Sequence, residues 1–97
     1  MRVRTHPGEV LHEEFMVPFE LSANALARAL DVPPNRITQI LDRRHPRGVT
    51  ADTAIRLGRY FGTTPQFWLN LQSDYELSEV LAAHGAEIDK KVHPRAA

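Results

Sequence analysis

Residues 26–41, LARALDVPPNRITQIL, hold two short apolar stretches separated by a brief break that contains Asp31 and the pair Pro33–Pro34. Leu26 and Leu30 before the break, and Ile37, Ile40 and Leu41 after it, recur at the spacing of helices that bury one face. Pro34 can open the second helix without loss, because its missing N–H is one of the donors a helix start leaves unpaired. Helices linked so closely bury these side chains together only by crossing steeply, and Ala27 falls where a larger residue would hold them apart. The stretch predicts a helix-turn-helix, in which one helix braces and the next is presented to a surface.

The presented helix turns Asn35, Arg36, Thr38, Gln39, Asp42 and Arg43 outward. These are short or forked hydrogen-bonding groups rather than the usual surface Glu and Lys. Arginine matches O6 and N7 of guanine, asparagine and glutamine match N6 and N7 of adenine, and a threonine methyl can contact thymine. Arg44, Arg47 and the first turn of the preceding helix, Ser22 and Asn24, suit phosphates. An ordinary helical corner with a polar surface is the alternative.

The rest of the chain is punctuated as helices. Pro7 and Gly8 precede Val10, Leu11 and Phe15, in a helix that Pro18 ends. Ser22 is an N-cap for the second helix. Thr50 caps a fourth, with Asp52 in its positive first turn and Gly62 as its stop. Thr64 and Pro65 begin a fifth, which runs to about His84 before Gly85. Residues 86–97, AEIDKKVHPRAA, carry too few apolar side chains to pack and are expected to form a flexible tail. The expectation is an all-α, compact five-helix, lambda-repressor-like domain over residues 1–85. In the fifth helix, Phe67, Trp68 and Leu71 read as core, whereas Tyr75, Leu77, Val80 and Leu81 read as a dimer contact, because an apolar stripe beyond the core would otherwise lie bare.

Composition bounds the function. The chain has 97 residues with 42% hydrophobic content and no cysteine, so it is one domain without disulfides or thiolate metal sites. No stretch is long enough to span a membrane and no apolar segment follows the basic start, so a cytoplasmic protein is expected. Net charge is zero, yet the charges are segregated. From Arg28 to Arg59 there are seven arginines and three acids; from Thr5 to Ala27, and from Tyr60 to Asp89, there are only acids. A basic middle can attract a polyanion while the whole chain stays neutral.

Enzymatic chemistry finds no support. His12–Glu13 begins like a zinc-protease motif, but Met16 occupies the place of the second ligand. The five histidines show no ligand spacing, and Ser22, Ser73 and Ser78 lack a glycine elbow. No catalytic residue, metal or cofactor is expected.

Ala23 to Asp42 resembles the helix-turn-helix of the Cro/repressor (XRE) class, with Ala27 at the small position and Ile37 at the buried one. More of the chain, roughly His6 to Leu77, resembles the HigA family of antitoxins, or plasmid-maintenance antidote proteins. The markers are His6–Pro7–Gly8, Pro33–Pro34–Asn35–Arg36, Thr50–Ala51–Asp52–Thr53–Ala54 and the run FWLNLQ from Phe67 to Gln72. The resemblance implies a homodimer that binds a palindromic double-stranded operator in its own promoter. It also implies a HigB-type, RelE-like mRNA-cleaving toxin as partner. Carried over by position, the base-reading set falls on Pro34, Asn35, Arg36, Thr38, Gln39 and Asp42. Ala23 replaces the glutamine that many repressors use on a phosphate, and Asp31 replaces the usual glycine of the turn. Glu9, Glu13 and Glu14 form an acidic face suited to a basic toxin or simply to solvent. A plain regulator of the same fold and a protein-interaction module are the alternatives.

Overall fold

The computed structural model describes residues 4–96, and every regular element among them is helical. The first helix, α1 (Pro7–Val10), continues directly into a π-helical stretch, Leu11–Met16. Then come α2 (Ala23–Leu30), α3 (Pro34–Leu41), α4 (Ala51–Phe61) and α5 (Pro65–Lys91). None is long and apolar enough to cross a membrane.

Side chains set the helix starts. The hydroxyls of Ser22, Thr50 and Thr64 accept from the backbone N–H groups of Ala25, Thr53 and Phe67 at 3.1, 3.4 and 3.1 Å. Each satisfies a donor that the first turn would leave open. His6 does the same for α1, its Nδ1 accepting from Gly8 N–H at 2.8 Å. That bond places the ring proton on Nε2, which is buried and has no hydrogen bond of good geometry. Burial lowers the His6 pKa below the usual histidine value, against a smaller opposing pull from the Arg47 carbonyl. Left-handed residues set two of the stops, Asp31 (φ 57°) after α2 and Gly62 (φ 77°) after α4.

The core gathers around Trp68, which is fully buried together with Leu11, Leu26, Ile37 and Leu57. Phe15 lies against Trp68 and Phe61 with ring centroids 5.1 and 5.0 Å apart. The indole N–H donates to Thr63 Oγ1 at 2.8 Å, so the ring is buried without an orphaned donor. Gln72, also buried, reaches from α5 to the loop after α3, its Oε1 accepting from Val49 N–H at 2.8 Å.

Two expectations from sequence are corrected. The fifth helix does not stop at Gly85 but continues to Lys91. A mid-helix glycine costs about 1 kcal/mol relative to alanine. Ala82, Ala83 and Ala86 around it, a Glu87–Lys91 pair at 2.9 Å and two lysines in the last turn favour continuation. Phe67 is a rim residue, 37% exposed, because its neighbour Trp68 takes the inward position. The helical run from Pro7 does end directly ahead of Pro18, with Val17 as its cap, and is π-helical from Leu11 to Met16.

Gly8 shows how tightly α1 docks. A methyl group there would fall on the backbone carbonyl oxygen of Ile40, near the end of α3. Neither backbone can yield without moving a helix, so Gly8→Ala should destabilise the fold by about 1–3 kcal/mol, the usual range for overpacking. Denaturant titration with tryptophan fluorescence measures this; an unchanged midpoint would show that the α1–α3 contact is loose.

Candidate nucleic-acid interface

The site is built on the turn between α2 and α3. Val32 N–H donates to Ala27 carbonyl at 3.0 Å and Asp31 N–H to Arg28 carbonyl at 3.1 Å. This is the paired capping pattern that a left-handed residue permits at a helix end. The two outermost carbonyls, Leu30 and Asp31, accept from Arg56 Nη1 at 2.8 and 3.2 Å. A guanidinium from α4 thus finishes the turn. Ala27 is fully buried at the crossing, as are Leu26 and Ile37, with Leu30 and Ile40 nearly so.

Beyond the turn, Pro34, Asn35, Thr38 and Gln39 are exposed on α3. Thr38 is partly engaged by its own helix, donating to Asn35 carbonyl at 3.3 Å. Arg36 is half-buried, and its Nη1 donates to Asp52 Oδ2 at 2.6 Å. The same oxygen accepts from Arg56 Nε at 3.0 Å. Chiefly through the Arg56 hydrogen bond, this holds the Asp52 carboxyl below the ordinary aspartate range. Arg36, Gln39, Arg47 and Asp52 line one groove of about 380 Å³.

Asp42 is placed differently from its companions. It ends α3, and its Oδ1 accepts from the backbone N–H groups of Arg44 and His45 at 2.8 and 3.2 Å. Those bonds, His45 first, lower its pKa. The carboxylate is folded into its own loop rather than standing free on the helix face. Arg43 approaches Glu13 of the π-helical stretch at 3.9 Å. Asp42, Arg43 and Arg44 border a second cleft of about 630 Å³, shared with Arg4, His6, His12 and Tyr75.

Ser22 spends its oxygen as the α2 cap and Asn24 is exposed in the first turn. Arg44 and Arg47 are exposed and, with Arg28 and Arg59, form no ion pair among the described residues. On α5, Leu77, Val80 and Leu81 are 60%, 47% and 46% exposed. Tyr75 is instead taken up by its own chain: its ring meets His6 edge-on at 4.8 Å and its hydroxyl donates to Glu79 at 2.9 Å. Sequence reasoning missed Asp52 and Arg56 as parts of this site. Their four-residue spacing on one helix was readable as a pair, but their reach to α3 and to the turn is tertiary. No group of three or more His, Asp or Glu that could hold a metal ion occurs among the described residues.

Five helices, with the second and third joined by a left-handed turn over a buried alanine, define a lambda-repressor-like helix-turn-helix protein. No family profile matches the chain. Individual relatives do. Virulence-associated protein I of Dichelobacter nodosus is 58% identical over 72 residues, which is 74% of this chain and 65% of that protein. The chain therefore spans a little under two thirds of that curated relative's length. An addiction-module antidote protein of the HigA family from Coxiella burnetii superposes with a TM-score of 0.88 and 48% identity, covering 97% of this chain and 100% of that one. Antitoxin HigA of Pseudomonas aeruginosa, solved with the higBA promoter, gives a TM-score of 0.87 and 49% identity over 95% and 98% of the two chains. The chain belongs to the HigA family of antidote proteins.

The brace on the turn has a measurable consequence. Arg56→Met keeps the apolar stem and removes the hydrogen bonds to Leu30 and Asp31 carbonyls and to Asp52. It should lower stability by about 1–2 kcal/mol, discounted for partial exposure. Equilibrium urea unfolding reads this directly, and a variant as stable as the parent would mean that water serves those carbonyls equally well.

Proposed function

We propose that the chain is an antitoxin and autorepressor, which binds a palindromic operator in its own promoter as a homodimer and neutralises a HigB-type, RelE-like toxin. The observation that carries the DNA part is α3: exposed Asn35, Thr38 and Gln39 with half-buried Arg36 beside them, held out by a capped and braced turn. Exposed Arg44 and Arg47 beside it supply cations for phosphates. A close relative's structure with its own promoter supports the same reading. The role is one of binding rather than catalysis, carried out in the cytoplasm where the operon lies.

Arg36→Ala should weaken binding to a duplex from the protein's own promoter by about 1–3 kcal/mol and relax preference at one base position. Gel shifts at two salt concentrations, on this duplex and on base-substituted versions, test it. Equal loss on every duplex would make Arg36 a phosphate contact. No shift by the parent protein on its promoter would favour an interaction module instead.

The two-fold contact belongs to α5 in this reading. Leu77, Val80 and Leu81 stand bare there, and a two-fold operator needs a two-fold protein with half-sites about one helical turn apart or a multiple of it. Leu81→Glu should yield monomers in sedimentation velocity; a persistent dimer would place the contact elsewhere. The toxin part is tested by co-expressing the chain with the product of a short, basic reading frame directly upstream. Failure of the two to co-purify would leave a plain regulator of the same fold.

A further inference from the structure

Two arginines converge on one carboxylate oxygen. Asp52 Oδ2 accepts from Arg36 at 2.6 Å and from Arg56 at 3.0 Å, while Arg56 also holds the carbonyls of Leu30 and Asp31. Asp52 thereby ties the start of α4 to the α2–α3 turn and to the first turn of α3. An acid in the first turn of α4 is favoured by the helix dipole alone. The dipole, however, calls for no contact with α3, and the short bond to Arg36 is the additional fact.

We propose that Asp52 is a positioning residue that sets the base preference of Arg36, fixing the guanidinium by one Nη so that it meets the groove in a single orientation. The proposal rests on the reading of α3 as the recognition helix. A free arginine loses rotamer entropy when it is ordered against a base, whereas one already held loses less. The carboxylate also brings negative charge toward a polyanion. It disfavours DNA in general, and that penalty is offset only where a base edge offers acceptors to the guanidinium as it is held, as guanine O6 and N7 do. Asp52 in this role lowers affinity for the wrong sequence more than for the right one, which is how a repulsive element creates specificity.

The test uses the full chain and a pool of duplexes with a randomised centre, selected by binding and sequenced, for the parent, Arg36→Ala, Asp52→Asn and Asp52→Glu. Arg36→Ala should lose preference at one base position. Asp52→Asn should relax that same position and no other, by about tenfold in discrimination, the scale of one base contact. It should also bind a duplex of unrelated sequence at least as tightly as the parent. Asp52→Glu keeps the charge but moves it by one methylene, and should relax the same position. A charge-only role predicts the opposite, that Glu preserves the parental preference. Preference retained in Asp52→Asn at the Arg36 position, or retained in Asp52→Glu, overturns the proposal. If Arg36→Ala itself shifts no preference, the recognition reading of Arg36 fails and the proposal falls with it. Asp52 is exposed, so Asp52→Asn should melt close to the parent; should it unfold, Asp52→Glu decides alone.

Discussion

Whatever α3 presents depends on how the chain turns into it from α2. Asp31 takes a left-handed conformation, and the bonds from Val32 to Ala27 and from Asp31 to Arg28 reverse the chain within that turn. A non-glycine residue is mildly strained there, though aspartate tolerates it better than most. The strain is met at the same place by Arg56, whose guanidinium binds the carbonyls of Leu30 and Asp31. Buried Ala27 completes the constraint, since any larger side chain would separate the helices and carry α3 away from α4.

The other end of α3 is held by different means. Gly8 lets the backbone of α1 approach the Ile40 carbonyl directly. Arg47 N–H donates to Gln39 carbonyl at 2.9 Å, closing the loop back onto the helix. Asp42 orders the start of that loop and Gln72 its end, through Val49. One short helix is therefore fixed at both ends by α1, α4 and α5. Its own sequence, with three exposed polar residues and a half-buried arginine among eight, could not hold it so.

The fold was legible because its decisive residues act locally. Ser22, Thr50 and Thr64 cap the turn that follows them, Pro34 begins α3, and Gly62 ends α4, each within a few residues of its effect. Asp31, which replaces the glycine usual in the turn of the resembling repressors, takes the left-handed conformation that such a position calls for. The site was legible as a face but not as a network. Arg36 and Asp52 are sixteen positions apart, and Arg56 lies twenty-six from Leu30. Periodicity carries no information at such range. Asp42 was misread for a related reason: helical spacing places it on the outer face, but it sits at the last turn, where an aspartate can instead accept from the next amides. Gly85 misled in the other direction, because a glycine stops a helix only where the flanking residues do not favour its continuation.

Pairing divides the arginines of the basic middle into two kinds. Arg36, Arg43 and Arg56 face acids of their own chain, at 2.6, 3.9 and 3.0 Å. Arg28, Arg44, Arg47 and Arg59 face none among the described residues. A cation already paired gains less from a phosphate, because it must share or leave its partner, whereas an unpaired one gains the full effect of displacing a counterion. In the proposed function the unpaired set supplies salt-dependent affinity and the paired set supplies geometry. A chain of zero net charge can then bind a polyanion without collecting it indiscriminately. The acids offset the cations in the total, and in that proposal Asp52 does so beside the arginine whose orientation would set the preferred sequence.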